Sequence, residues 1–214
     1  MIIAVDGPAA SGKGTIARAL AEHFGLPHMD TGLLYRATAL NLMEMGGDPE
    51  SEFAAARATD LSQIDFSDAE LKSESVGGIA SRISTYPLVR EALLDRQRRF
   101  ASQPGGAVLD GRDIGTVICP DADVKLFIEA DSKARMERRA RQLEARGLEV
   151  DRYALYHQIE ERDARDRANP HGGFFPAPDA HLLDTTRLDI EAALRAAVAI
   201  VDGVMAGKAG VSTP

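Results

Sequence analysis

Residues Gly7-Pro8-Ala9-Ala10-Ser11-Gly12-Lys13 fit the spacing G-x-x-x-x-G-K and stand between a short apolar run and an amphipathic segment. That is the setting a phosphate-binding loop requires. The glycines let backbone N–H groups turn inward around phosphate oxygens, the following helix presents the positive end of its dipole, and Lys13 reaches the β- and γ-phosphates of a nucleoside triphosphate. The motif therefore predicts a strand over residues 1–5 ending at Asp6, a nucleotide-binding loop over Gly7 to Thr15, and a helix carrying Ile16, Leu20 and Phe24 up to the stop at Gly25.

The same alternation continues. Pro27 to Asp30 reads as a second strand, and Thr31 is placed to cap a helix bearing Leu33, Ala37 and Leu40 before Gly46-Gly47. Residues 50–86 have weak periodicity, several Ser and Asp residues and a Gly77-Gly78 pair, which predicts an irregular, mobile insert. Val89, Leu93 and Phe100 mark a helix that stops at Pro104-Gly105-Gly106, and Ala107-Val108-Leu109 leads as a buried strand to Asp110. Further on, a strand is predicted over 124–128, charged helices over 132–146 and 151–167, a short strand over 181–183 and a helix capped by Asp189. The residues from 206 onward read as a frayed tail. Strands alternating with helices imply an α/β fold of three layers with a parallel central sheet.

At 214 residues the chain suits one domain, which would bury roughly 70% of its unfolded surface. No apolar stretch approaches a bilayer span and the first residues lack a basic region and cleavage site, so the expectation is a cytoplasmic protein with no membrane partner. The net charge of −8 argues against a polymeric nucleic-acid partner. That charge is uneven: residues 131–167 hold ten Lys and Arg against nine Asp and Glu. Such local basicity suits either an anion or a solvated helix surface. The lone Cys119, between apolar neighbours, reads as a small packed hydrophobe, and the five histidines show no metal-ligand spacing.

Three further segments carry chemistry. Asp30-Thr31-Gly32-Leu33-Leu34-Tyr35-Arg36 puts a helix start, a phenol and a guanidinium in one span, which fits a phosphate site and equally a partly exposed helix pair. Asp110-Gly111-Arg112-Asp113-Ile114-Gly115-Thr116 follows a buried strand, at the edge where α/β sheets bind ligands, and Arg112 there suits a phosphate because its planar fork pairs two oxygens. Arg162-Asp163-Ala164-Arg165-Asp166-Arg167 could be a solvated helix laced with ion pairs. Alternatively Arg135, Arg138, Arg139 and Arg165 could close over a transferring phosphoryl group.

The Gly12-Lys13-Gly14-Thr15 ending, with Gly14 where the strict motif has Ser or Thr, resembles the nucleoside monophosphate kinases. Taken in order with residues 30–36, Tyr86-Pro87-Leu88-Val89-Arg90, residues 110–116 and 162–167, it makes nearly the whole chain resemble bacterial cytidylate kinases. The resemblance implies a P-loop NTPase fold with an acceptor-base insert over 50–86 and an arginine-rich lid over 131–167. It implies transfer of the γ-phosphate of ATP to CMP or dCMP by a monomer, with Mg²⁺ held mainly by phosphates and water and no protein metal ligand. Thr31, Arg36 and Arg112 would hold the acceptor phosphate; Ser81, Arg90 and Asp113 would read cytosine; and Tyr35, Arg162 and Asp166 would position the nucleotide. Lys13, Arg112, Arg162 and Asp166 are the implied catalytic set. Two departures stand out: Asn169 occupies a position where the family usually carries arginine, and the 50–86 insert is shorter than in familiar members.

The competing readings are the same chemistry on another monophosphate or small acceptor, a regulatory GTPase or mechanical ATPase, and a binding protein. The chain has no N-K-x-D guanine motif, and Gly111 follows Asp110 where many ATPases place a second carboxylate. Both features disfavour the GTPase and ATPase classes.

Overall fold

The computed structural model describes residues 1–169 and 174–211. Its strands are β1 (Ile2–Asp6), β2 (His28–Asp30), β3 (Ala107–Gly111), β4 (Val124–Glu129) and β5 (His181–Asp184). They form one sheet in the order β2-β3-β1-β4-β5, and every neighbouring pair is parallel. The helices are α1 (Lys13–Phe24), α2 (Thr31–Glu44), α3 (Glu52–Arg57), α4 (Glu74–Ile83), α5 (Pro87–Ala101), α6 (Ser132–Glu144), α7 (Arg152–Ala168) and α8 (Ile190–Val211).

Alternation along each strand builds the two faces. Ile3, Val5, Val108, Leu126 and Ile128 point toward α1 and α8, where Ile16, Leu20, Ala197 and Val201 complete a core. Ala4, Ala107 and Leu109 point the other way, against Ala101 of α5, the π turn Ile114–Ile118 and Cys119. Cys119 is thus a packed hydrophobe, and burial pushes its thiol up to about 11. The three-layer expectation holds, with β1 central and apolar enough to be buried on both faces.

The sequence expectations failed where polar residues act as caps. Residues 50–86 are not irregular but form α3, a 3₁₀ turn (Ala69–Lys72) and α4. The Ser and Asp residues that suggested a loop are N-caps: Ser51, Asp68 and Ser73 accept from the backbone N–H of Ala54, Glu70 and Val76. These short helices share a core in which Leu42, Leu71, Val76, Ile83 and Leu93 are buried. Asp30, not Thr31, caps α2, accepting from Leu33 N at 3.2 Å. Finally, α8 continues through Val211 instead of fraying from residue 206.

The ends of β1, β2 and β3 converge on one edge. Asp6 is aligned with Gly111, and Asp30 with Asp110. The chain leaves β1 through Gly7 at φ +151°, where an added Cβ would lie 2.2 Å from the Ile128 carbonyl oxygen of β4. Only glycine allows that backbone crossing. Asp6 itself is buried and accepts from the N–H groups of Ile114 and Gly115, each at 2.8 Å, which fixes the turn after β3 against β1. Burial is the larger influence on Asp6 and raises its carboxyl to about 7, against the two N–H donors that lower it.

This shift has a thermodynamic sign. Folded protein holds the Asp6 proton more tightly than the unfolded chain does, so stability falls as pH rises from about 4 to about 7 and levels off above. Asp6→Asn is therefore expected to make that slope shallower, by up to roughly 1.4 kcal/mol per pH unit. Urea titrations of both proteins at intervals across that range check it, and an unchanged slope would exclude Asp6 as the titrating group.

Candidate active site

The loop after β1 is held with its carbonyls facing outward. Ala9 O accepts from Arg135 Nη1 at 3.3 Å, and Ser11 O accepts from Arg138 Nη1 at 3.0 Å and from Thr185 Oγ1 at 2.9 Å. Ala10 (φ +60°) and Gly12 (φ +94°) are both left-handed, and Gly12 caps α1 without any side-chain hydrogen bond. The N–H groups at the start of α1 are therefore left for a ligand, an anion-binding arrangement of backbone donors. Pro8 and Ala9 complete the turn, Ser11 Oγ is buried with no hydrogen-bond partner, and Thr15 is exposed on the first turn of α1.

Lys13, the first residue of α1, lines a cleft at this edge of the sheet. The cleft brings together Thr31, Tyr35, Arg36, Ser81, Arg90, Arg112, Asp113, Arg162 and Asp166, the residues singled out from the sequence, although they come from α2, α4, α5, α7 and the turn after β3. Asp30, Gly32, Ala80, Ser84, Gly111 and Asn169 also line it.

Its electrostatics are those of a site short of negative charge. Lys13, Arg36, Arg112 and Arg162 face the same space. Burial and then the Arg112 charge pull the Lys13 ammonium down to about 8, while Asp110 and Asp30 oppose them. Burial and then Arg112 likewise lower Arg162 to about 10, and its Nε has no hydrogen-bond partner. A phosphate entering here would relieve both effects by pairing the cations.

The same cleft also carries an ion pair. Arg90 pairs with Asp113, and its Nη1 also donates to Ser84 O at 3.2 Å and Tyr35 Oη at 3.5 Å. Burial raises the Asp113 carboxyl above its ordinary value, with the adjacent Arg90 guanidinium opposing it. Ser81 Oγ is buried and unpartnered on the same wall. Burial pushes the Tyr35 phenol up to about 12, so it stays protonated. Arg112 Nε donates to Asp166 Oδ2 at 2.8 Å, and the Arg112 guanidinium sits 5.9 Å from the centre of the Phe174 ring.

Several side chains have tasks that the sequence did not reveal. The Thr31 hydroxyl donates to the Asp110 carbonyl at 2.8 Å, so what Thr31 offers the cleft is the N-terminus of α2. Arg135 is buried in an ion pair with Asp163, Arg138 is bonded to the loop, Arg139 pairs with Glu74, and Arg165 is exposed. Arg135 and Arg138 are therefore supports of the phosphate loop instead of free clamps. Asn169 donates to Ser84 O at 3.3 Å. Thr185 lay outside every motif and Asp163 sat unremarked within the 162–167 run; only the folded chain brings them to the arginines that hold the loop.

Among the described residues, no group of three or more His, Cys, Asp or Glu side chains is placed to hold a metal ion. Gly14 has no hydroxyl, and a Cβ there would sit 3.5 Å from Asp110 Oδ2.

The cytidylate kinase family model matches residues 3–202. The chain belongs to the cytidylate kinase family. A curated relative named cytidylate kinase from Methylocella silvestris is 56% identical over 203 residues, covering 94% of each chain. Another of that name, from Bradyrhizobium diazoefficiens, is 53% identical over 209 residues, covering 97% of this chain and 99% of its own. Among solved structures, an uncharacterized protein from Eubacterium ventriosum has the same fold, with a TM-score of 0.56, 16% identity and coverage of 94% of this chain and 98% of its own.

Arg36 shows how finely the family's cleft is set in this chain. It runs over α4 to donate to Leu71 O at 2.8 Å and Ser73 O at 3.1 Å, and a Cβ on Gly77 would come within 2.8 Å of its Nη2. The glycine that suggested a break is thus inside a helix, kept small for the guanidinium. Gly77→Ala is expected to hold or raise stability, by up to about 1 kcal/mol from helix propensity, while displacing Arg36. Steady-state kinetics should then show a several-fold higher KM for the acceptor with thermal stability intact.

Proposed function

We propose that the chain transfers the γ-phosphate of ATP to CMP or dCMP, releasing ADP and CDP or dCDP, within pyrimidine nucleotide metabolism. Family membership supports the reaction, and the observation that carries the site assignment is one cleft lined by Lys13, Arg36, Arg112 and Arg162 and also by the Arg90–Asp113 pair and the orphaned Ser81 hydroxyl. ATP binds at loop residues 7–15, with Lys13 on the β- and γ-phosphates. Arg36 and Arg112, with the α2 N-terminus at Thr31, hold the acceptor phosphate. Arg162 lies between the two sites, and Asp166 and Tyr35 hold Arg112 and Arg90 in place. Segment 50–86 is the acceptor-base insert and 131–167 the lid of a single domain that acts as a cytoplasmic monomer on small nucleotides.

The reaction is an in-line attack by an acceptor phosphate oxygen on the γ-phosphorus of ATP, breaking the bond to the β-phosphate bridging oxygen, with no covalent intermediate. The protein contributes positioning and neutralisation of charge on the transferring oxygens. Magnesium, held by the nucleotide phosphates and water, would supply further charge neutralisation there. Among the described residues, no helix is long and apolar enough to cross a membrane.

Lys13→Ala tests the donor side. It is expected to lower kcat by about 100-fold or more with little change in thermal stability, because the ammonium acts on charge that develops in the transition state. A variant turning over at the native rate would overturn the role of the loop.

The acceptor side turns on Asp113. Cytosine offers a 4-amino donor that a carboxylate accepts, whereas uracil presents a carbonyl oxygen that the Asp113 carboxylate would repel even while Arg90 holds it. In a desolvated site that mismatch costs roughly 3–5 kcal/mol, or on the order of 10²–10⁴ in kcat/KM. CMP should outrun UMP by that margin in an acceptor panel that includes a control without acceptor. In Asp113→Asn the amide accepts from one base or donates to the other, so the CMP/UMP ratio of kcat/KM should collapse, chiefly through loss of CMP activity. A variant that keeps the native ratio would show that Asp113 does not read the base.

A further inference from the structure

His28, at the start of β2, has no part in the roles above, yet it makes a close polar contact beside the phosphate loop. Its Nε2 is 2.7 Å from Asp110 Oδ1, and the Asp110 side chain is 2% exposed. A carboxylate oxygen can only accept here, so His28 Nε2 carries the hydrogen. The second oxygen, Oδ2, lies 3.8 Å from Lys13 Nζ, an ion-pair separation too long for a hydrogen bond. The main chain of Asp110 is pinned as well, by the β-ladder to β2 and by the Thr31 hydroxyl on its carbonyl oxygen at 2.8 Å. Buried ammonium and carboxylate groups free to meet close to about 2.7–2.9 Å. This pair stops about an ångström short.

We propose that His28 is a positioning residue: by binding Asp110 Oδ1 it holds the carboxylate short of a direct pair with Lys13, leaving the ammonium available to the donor phosphates. The energetic logic is an exchange of partners. Lys13 must trade Asp110 for phosphate oxygens when the nucleotide arrives, and the closer the resident pair, the more that trade costs. The groups facing Lys13 are Asp6 from β1, Asp110 from β3, Asp30 from the end of β2, Arg112 from the turn after β3 and Arg162 from α7. The arginines disfavour its charge and the aspartates favour it, so any approach of Asp110 would raise the pKa of Lys13 and bind the ammonium more tightly in place. Asp110 thus stays near enough to keep a desolvated lysine charged and far enough to release it.

The inference rests on the kinase reading for what Lys13 contacts, so one readout is taken without nucleotide. His28→Leu removes the donor, and His28→Gln returns an N–H at similar reach. The Lys13 ammonium is titrated by NMR in the free protein, and ATP and CMP affinities are measured by calorimetry. In His28→Leu the Lys13 pKa is expected to rise by about half a pH unit or more, with ATP binding weakened roughly three- to tenfold and CMP binding within about twofold of native. His28→Gln should restore both values. An unmoved Lys13 titration overturns the proposal whatever the nucleotide data show, as does a loss of ATP affinity that glutamine does not restore. If His28→Leu alone folds poorly, it is compared within an Asp110→Asn background, where the proposal requires His28→Leu to change ATP affinity by less than about twofold. A full-sized loss there overturns it. A shifted Lys13 titration with no turnover of CMP would count against the acceptor assignment and leave the His28 inference standing.

Discussion

The turn between β1 and α1 organises everything around it, because a loop whose N–H groups must face a ligand has carbonyls that need partners elsewhere. Ala9 O and Ser11 O find them in Arg135, Arg138 and Thr185, contributed by α6 and by the chain just after β5. Arg135 is in turn fixed by Asp163 of α7, with both side chains almost wholly buried. A buried pair of this kind tolerates the loss of neither partner, since the survivor would be an uncompensated charge. The helix that carries Arg162 is therefore anchored, through Arg135 of α6, to the backbone that would hold the phosphates.

From the opposite side of the sheet edge, Asp6 ties the same region together. It binds the backbone just beyond Asp113, so the residue proposed to read the base and the loop proposed to hold the donor hang from the two ends of one strand-terminal contact. That contact is made at a cost, visible in the raised Asp6 carboxyl. The cleft shows the same pattern, with Lys13 and Arg162 both pulled below their ordinary values mainly by burial. Interior charges left in such a state are common at sites completed by a ligand of opposite sign.

The wall of the cleft carries both cations and the Arg90–Asp113 pair with the Ser81 hydroxyl, which fits an acceptor that has a phosphate and a heterocycle. Asn169 belongs to this wall through Ser84, on which Arg90 also converges.

The sequence by itself determined the parallel sheet and the glycine-rich loop after β1, and the family resemblance of its motifs picked out many of the residues that line the cleft. Apolar runs ending in Asp6 and Asp110 are local signals, and the loop motif depends on neighbours a few residues apart. The helical content of 50–86 was hidden because its caps are the same Ser and Asp residues that make turns, and because Gly77 is small for the sake of Arg36, which lies in a different helix. Only the tertiary structure decided which arginines face the cleft and which hold the loop: Arg112 and Arg135 look alike in sequence, but one meets Asp166 in the cleft and the other Asp163 in the interior. It alone placed His28 against Asp110, 82 residues away. Such pairings depend on distance and burial across elements that touch only after the sheet has formed, and no local pattern encodes them.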